Sequence, residues 1–322
     1  MNPIPLPMVP TAPPEPAART ITLTIDDQPV DVPEGSTILD ACNKLGIDTP
    51  TLCYGETLTP ANACRICVVE LEGARTLVPA CSRKVEPDMV IHTDSERVRL
   101  SRKMVIEFLA SSVDLSITQV AGNYLERYDG KPERYGPPAP PDPHRDQRQA
   151  GHHERPDGQT AATVHGPTKV DNDLYVRDYS KCILCYKCVD ACGDQWQNTF
   201  AITVAGRGFD ARISTEYANP LPESACVYCG NCIAVCPTGA LMFKSEHDLR
   251  EAATWDESRQ TQTETICPYC GVGCTLDLHV QDNQIVKVTS PDDHDITRGN
   301  LCIKGRFGFQ HVSPKPEPSE SA

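Results

Sequence analysis

The sequence predicts a multi-domain α+β protein whose small domains are each organised by cysteines instead of by one large apolar core. Three observations carry this expectation. The 322 residues are 39% hydrophobic and 6% aromatic, too lean for a single core of that length. All but one of the 17 cysteines fall into four groups of four. Proline-rich stretches separate segments whose apolar residues keep a regular period.

Residues 1–18 are rich in proline and nearly uncharged, and they lack the basic start and apolar centre of a secretion signal. They are expected to be a disordered tail. No apolar run reaches the roughly 18 residues that cross a bilayer, so a cytoplasmic chain with no membrane span is expected. Residues 19–128 read as one domain. There "RTITLTIDD" alternates into a turn at Asp26-Asp27-Gln28-Pro29, and "VDVPEG" returns as a strand. Ser36 can cap a helix over "TILDACNKLG", which Gly46 ends. Further strands are expected in "CVVELEG", "RTLVPAC" and "MVIHT". Apolar residues at helical spacing in "DSERVRLSRKMVIEFLASS" predict a closing amphipathic helix.

Residues 129–170 mix proline, histidine and charge with no period and are expected to be an extended linker. His152 and His153 have no third metal ligand nearby, and a solvated linker accounts for them. Compact domains are expected at 171–248 and 264–312, joined by a linker at 249–263. Residues 313–322 read as a second disordered tail. The formal charge is −14 with no long basic run, which argues against nucleic acid as a partner.

Clustered cysteines in a chain without a secretion signal point to metal before disulfides. The first group, Cys53-x10-Cys64-x2-Cys67-x13-Cys81, suits one [2Fe–2S] cluster. The close pair Cys64 and Cys67 is expected on one iron, with Cys53 and Cys81 completing the other. The runs "CILCYKCVDAC" and "CVYCGNCIAVCP" repeat the spacing of two-cluster bacterial ferredoxins, in which each fourth cysteine ligates the other cluster. One [4Fe–4S] cluster is therefore expected on Cys182, Cys185, Cys188 and Cys236, and a second on Cys226, Cys229, Cys232 and Cys192. The last group, Cys267-x2-Cys270-x3-Cys274-x27-Cys302, suits a third [4Fe–4S] cluster and encloses a hairpin turning at Asp282-Asn283. Structural zinc is the alternative at each group. Cys42 is left over beside Leu39 and Leu45 on the predicted helix, where a buried core thiol is expected.

The strand–strand–helix order before Cys53 resembles the β-grasp fold of [2Fe–2S] ferredoxins. "TILDACNKLGIDTPTLCY" and "NACRICVVE" resemble the front domain of the large iron–sulfur subunit of respiratory complex I and its relatives. The last cysteine group with "GNLCIKGRFG" resembles the [4Fe–4S] domain that opens molybdopterin oxidoreductases, formate dehydrogenases especially. Over residues 19–312 the chain resembles the N-terminal part of the catalytic subunit of NAD-dependent formate dehydrogenases.

That resemblance implies an electron-transfer subunit for formate + NAD+ giving CO2 + NADH. It implies a molybdenum or tungsten bis-pterin on a separately encoded molybdopterin subunit, and FMN on a flavin/NAD-binding subunit. The separate pterin subunit is expected because only 20 residues follow Cys302. No substrate-site residue is assigned in this chain. Lys304 is the electron-relay candidate by resemblance, with an ordinary surface lysine as its alternative. The family commonly carries a further cluster on one His and three Cys after the first domain. "SSVDLSITQVAGNYLERYDG" has neither residue type, so the first two domains are expected to dock directly. A subunit of a complex I-like or NAD-reducing hydrogenase complex is the alternative reading.

Overall fold

The structure, a computed structural model, describes residues 19–137, 168–208 and 211–311. The expected tails, the paired histidines 152–153 and most of the central linker lie outside these. In the first domain β1 (Thr20–Ile25) and β2 (Gln28–Pro33) form a hairpin. Its turn residues Asp26 and Asp27 take left-handed φ values of 47° and 64°. That two-residue turn matches the strand twist, so the return strand starts at Gln28, earlier than the sequence predicts.

Helix α1 (Ile38–Lys44) is capped by Thr37, not Ser36. Asp40 lies three residues on and accepts from the Thr37 backbone N–H at 2.7 Å, completing a reciprocal capping box. Strands β3 (Val68–Leu71), β4 (Val78–Pro79) and β5 (Val90–His92) extend the sheet in the order β2-β1-β5-β3-β4, with β5 parallel to β1. Leu23, Ile25, Ile38, Leu39, Cys42 and Ile91 share the core, so the sheet grips α1 and Cys42 is the buried thiol expected of it.

Helix α2 (Glu96–Ser112) starts at a Ser95 cap and buries Val98, Arg102, Ile106 and Glu107. The two terminal nitrogens of Arg102 donate to the Val68 carbonyl at 2.9 Å and the Tyr128 hydroxyl at 3.1 Å, while its Nε is buried without a partner. Helix α3 (Gln119–Arg127) follows. A 3-10 turn at Pro132–Tyr135 folds back on α2, where Glu107 accepts from Arg134 at 2.9 Å and Tyr135 meets Phe108 at 5.0 Å. The start of the stretch read as a linker therefore packs on the first domain.

The second domain contains β6 (Tyr175–Arg177), α4 (Lys187–Cys192), β7 (Thr203–Ala205), β8 (Arg212–Ser214), α5 (Asn231–Ala234), β9 (Leu241–Phe243) and α6 (Lys244–Glu251). Strand β6 pairs with β9, and β7 with β8, both antiparallel. The third domain is an antiparallel sheet of β10 (Thr261–Ile266), β11 (Thr275–Gln281) and β12 (Gln284–Thr289), closed by α7 (Ile303–Phe307). Asp282 and Asn283 turn the expected hairpin with φ values of 52° and 62°. Residues 249–263 carry the end of α6, the start of β10 and Trp255, whose ring lies 5.0 Å from both Arg250 and Lys287. Among the described residues no helix is long and apolar enough to cross a membrane.

Four candidate iron–sulfur sites

The Cys53 set sits where the loop after α1 meets β3 and β4. Left-handed Asn62 and Arg65 (φ 56° and 60°) curl that loop, and the Cys64 N–H donates to the Cys53 sulfur at 3.5 Å. The Cys67 and Cys81 sulfurs are 3.4 Å apart. The structure thus pairs Cys53 with Cys64 and Cys67 with Cys81, instead of joining Cys64 to Cys67 as the spacing suggests. The reason is the curl, which turns Cys64 back toward Cys53 while β3 carries Cys67 to the β4 end at Cys81. Hydrogen bonds from Cys64 and Cys81 hold the Cys53 and Cys67 thiols below the ordinary thiol range.

The two ferredoxin loops are related by pseudosymmetry. Leu184 and Tyr186 in one, and Tyr228 and Gly230 in the other, all take left-handed φ between 52° and 73°. Each loop aims an N–H at its leading cysteine: Leu184 to Cys182 and Tyr228 to Cys226, both at 3.4 Å. Cys182, Cys185, Cys188 and Cys236 line one cavity with Tyr179, Ile213 and Leu241. Burial and then Cys236 push the Cys185 thiol up to about 12. Burial likewise raises Cys229, with Cys226 and Cys192 adding to it. Among the described residues no three His, Cys, Asp or Glu side chains converge on a single-ion site. The donor sets suit a wider group: four crowded sulfurs with inward N–H groups, which bound iron would hold as thiolates.

In the Cys267 set, Cys267 is buried with Leu276, Val288 and Phe309, whereas Cys270 and Cys302 are exposed. Cys274 is raised by burial and by Cys267, Cys270 and Cys302, so the four lie together. Residues 302–304 of the α7 start are exposed, Lys304 among them, while Gly305, Arg306 and Phe307 are buried.

The three domains that carry these sites pack against one another. The first two domains touch directly: Ile183 packs into the core of Leu52, Ile66 and Cys64. Lys181 pairs with Asp114 at 3.4 Å, and the Trp196 indole donates to the Thr57 carbonyl at 3.1 Å. The stretch without His or Cys is filled by aliphatic side chains. Val113, Leu115 and Ala121 are buried there, and a Cβ on Gly239 would meet Ile117 at 2.5 Å. At the other end, Phe307 joins Tyr175 and Phe243 in the ferredoxin core.

Arg306 is fully buried and donates to the carbonyls of Cys229 and Gly299 and to Asn231 Oδ1, each at 3.1 Å. Burial pushes it down to about 10, so it stays cationic between the Cys226 and Cys267 sets. Gly230 is required here, because a Cβ would meet Arg306 at 2.4 Å and Phe307 at 2.9 Å. Sequence reasoning missed Arg306 and Tyr175. The one signal for Arg306 was an arginine set inside an otherwise apolar "GRFGF" run.

These domains define an iron–sulfur protein. Residues 18–96 match a 2Fe-2S iron-sulfur cluster binding domain, 181–240 a 4Fe-4S dicluster domain, and 260–314 a molybdopterin oxidoreductase Fe4S4 domain. The chain is 32% identical over 298 residues to an NADH-quinone oxidoreductase subunit of Rhizobium meliloti, covering 92% of this chain and 32% of that protein. It is 32% identical over 300 residues to the NADPH-Fe(3+) oxidoreductase subunit alpha of Geobacter sulfurreducens, covering 91% and 32%. A putative formate dehydrogenase of Staphylococcus haemolyticus is 26% identical, covering 91% and 31%. The chain spans about a third of the length of these relatives. An NAD+-reducing [NiFe]-hydrogenase in the H2-reduced state shares the fold with a TM-score of 0.55 at 22% identity, covering 70% of this chain and 87% of that one.

Proposed function

We propose that the chain is an electron relay of a nicotinamide-linked oxidoreductase, with the Cys267 set facing a molybdopterin unit and the Cys53 set facing a flavin/NAD unit. The supporting observation is the crossing itself: Cys236 lines the cavity of Cys182, Cys185 and Cys188. Four clusters bound to these sets would supply one-electron transfer by changing oxidation level without making or breaking bonds. Cys53, Cys64, Cys67 and Cys81 would hold the [2Fe–2S] group, with Cys53 and Cys64 on one iron and Cys67 and Cys81 on the other.

The two crossed sets and the Cys267 set would each hold a [4Fe–4S] group. The backbone N–H groups of Leu184, Tyr228 and Leu241 donate to their sulfurs at 3.4 Å and orient them. Ile183 and the aliphatic plug exclude water between the first two sites, which favours direct passage. Lys304 would stand between the last site and the pterin, offsetting negative charge on either side. A cytoplasmic setting belongs to the same proposal.

Formate is the proposed donor through the pterin unit. It rests on the Cys267 domain and on the likeness to a putative formate dehydrogenase. A complex I-like or NAD-reducing hydrogenase partner is the second reading, favoured by the higher identity to the NADH-quinone oxidoreductase relative. Anaerobically isolated chain should carry about 14 irons with acid-labile sulfide, from one [2Fe–2S] and three [4Fe–4S] groups; colourless protein with zinc would refute the relay. Formate-driven NAD+ reduction by the complex from its native host, absent with hydrogen, decides the donor.

A further inference from the structure

The two ferredoxin sites share a loop geometry, and their backbone donors nearly balance. Leu184 and Leu241 N–H groups serve the Cys182 set, and the Tyr228 N–H serves the Cys226 set, each at 3.4 Å. The side chains do not balance. At the Cys226 set, the buried Tyr175 hydroxyl lies 3.1 Å from the Cys226 sulfur, and the Thr199 hydroxyl lies 3.4 Å from Cys192. The buried Arg306 guanidinium donates to the Cys229 carbonyl. At the Cys182 set the Thr238 hydroxyl lies 3.9 Å from Cys236, the Tyr179 hydroxyl that lines the same cavity is engaged by Arg177 at 3.5 Å, and a neighbouring cation is the half-buried Lys187. Water screens Lys187 in a way it cannot screen Arg306.

We infer that Tyr175, Thr199 and Arg306 make the Cys226 set the more easily reduced of the two ferredoxin sites, a potential-setting role that rests on the cluster reading above. Reduction adds one negative charge to a cluster. Hydrogen-bond donors to ligand sulfur and a fixed cation both favour that more negative level, and they act strongly in a site closed to water. A thiolate sulfur bound to iron has no proton to give, so the Tyr175 O–H is the donor. An electron passed inward from the Cys267 set would take a [4Fe–4S] group held there from the 1+ to the 2+ level and one held by the Cys226 set from 2+ to 1+. No proton and no leaving group takes part. The Cys226 set would then hold an electron while the other sets remain oxidised. A two-electron donor can therefore discharge its first electron before the far end has turned over.

The test is a redox titration of the anaerobic full-length holo chain followed by electron paramagnetic resonance. The signal of the Cys226 set is identified by its change of shape in Cys226→Ser. At the potential where that site is half reduced in the wild type, Tyr175→Phe should lower its reduced-to-oxidised ratio at least about three-fold, a downward shift of about 28 mV for a one-electron couple. The Cys182 signal should not move. Thr238→Val serves as the control and should move neither. Arg306→Gln should lower the same midpoint, and Arg306→Lys should recover part of it; if Arg306→Gln does not assemble, Tyr175→Phe decides alone. Unmoved midpoints in Tyr175→Phe with all signals present, or a shift confined to the Cys182 set, would overturn this inference only. Wild-type holo chain with no [4Fe–4S] signal would overturn the relay reading beneath it.

Discussion

At the Cys53 set three thiols are buried and Cys64 is half-buried, whereas at the Cys267 set Cys270 and Cys302 are open to solvent. The first set belongs to a sheet that folds its own helix and core around the ligands, with Cys67 and Cys81 sharing the cluster of Ile38, Leu39 and Val69. The last set belongs to a sheet whose closing helix is spent elsewhere, because Arg306 and Phe307 plug into the ferredoxin domain. What remains around the ligands is an apolar rim: Ile266, Tyr269, Val272 and Ile303 are 69%, 41%, 58% and 41% exposed. The same kind of cysteine set is enclosed within its domain at one end and left beside an exposed apolar rim at the other.

The largest contrast should come from deleting one ligand at each end. Cys81→Ala is expected to remove the [2Fe–2S] group and lower the melting temperature of the first domain, since Cys81 is a core residue. Cys302→Ala should cost iron at the last site and leave that melting unchanged. Iron analysis with calorimetry measures both, and equal destabilisation by the two variants would erase the distinction. Next, Val272→Glu combined with Ile303→Glu should weaken recovery of the pterin unit at least about ten-fold, about 1.4 kcal/mol, with iron content intact. Unchanged affinity in a pull-down series would mean that the rim is not the docking surface.

Lys304→Ala should be milder, slowing donor-to-NAD+ turnover a few-fold while cluster signals and pterin-unit recovery persist; wild-type turnover would return Lys304 to the surface class. The smallest effect concerns pH. Burial, with help from Lys287, holds the His279 imidazole below its ordinary value, so it is neutral in the fold. The unfolded chain takes up a proton first on acidification. Its contribution is therefore whole above the ordinary histidine value of about 6.5 and is lost as pH falls toward the lower folded value. Urea midpoints should drop less on acidification in His279→Gln than in the wild type, with no difference in the first domain.

The iron–sulfur domains were legible because cysteine spacing is a local code: a short run fixes which thiols share a loop, and the doubled motif suggests the crossing that puts Cys236 in the Cys182 cavity. The hairpins at Asp26-Asp27 and Asp282-Asn283 were legible for a similar reason, since turn residues act over a few positions. The Cys53–Cys64 pairing was not, because it depends on a left-handed curl at Asn62 and Arg65 that spacing does not encode. The α1 cap falls one residue later than the sequence predicts because Asp40 supplies Thr37, not Ser36, with a reciprocal partner. Tyr175 and Arg306 were invisible for a deeper reason. Their partners lie 51 and 77 positions away in the chain: folding of the ferredoxin domain brings Tyr175 to the Cys226 sulfur, and docking of the third domain brings Arg306 to the Cys229 carbonyl.

The Phe307 plug bears on how the molecule is made. Tyr175, Ile213, Phe243 and Phe307 form one core, so the ferredoxin domain is completed by a residue synthesised long after its own cysteines. Domains emerging from the ribosome fold as units, with the N-terminal ones first. The β-grasp sheet core, from Leu23 to Ile91, is complete before the ferredoxin cysteines appear. The ferredoxin domain, by contrast, waits with an open flank at Gly230 until the third domain's helix is released. Until Arg306 and Phe307 seat against Gly230, that side of the Cys226 loop is therefore uncovered.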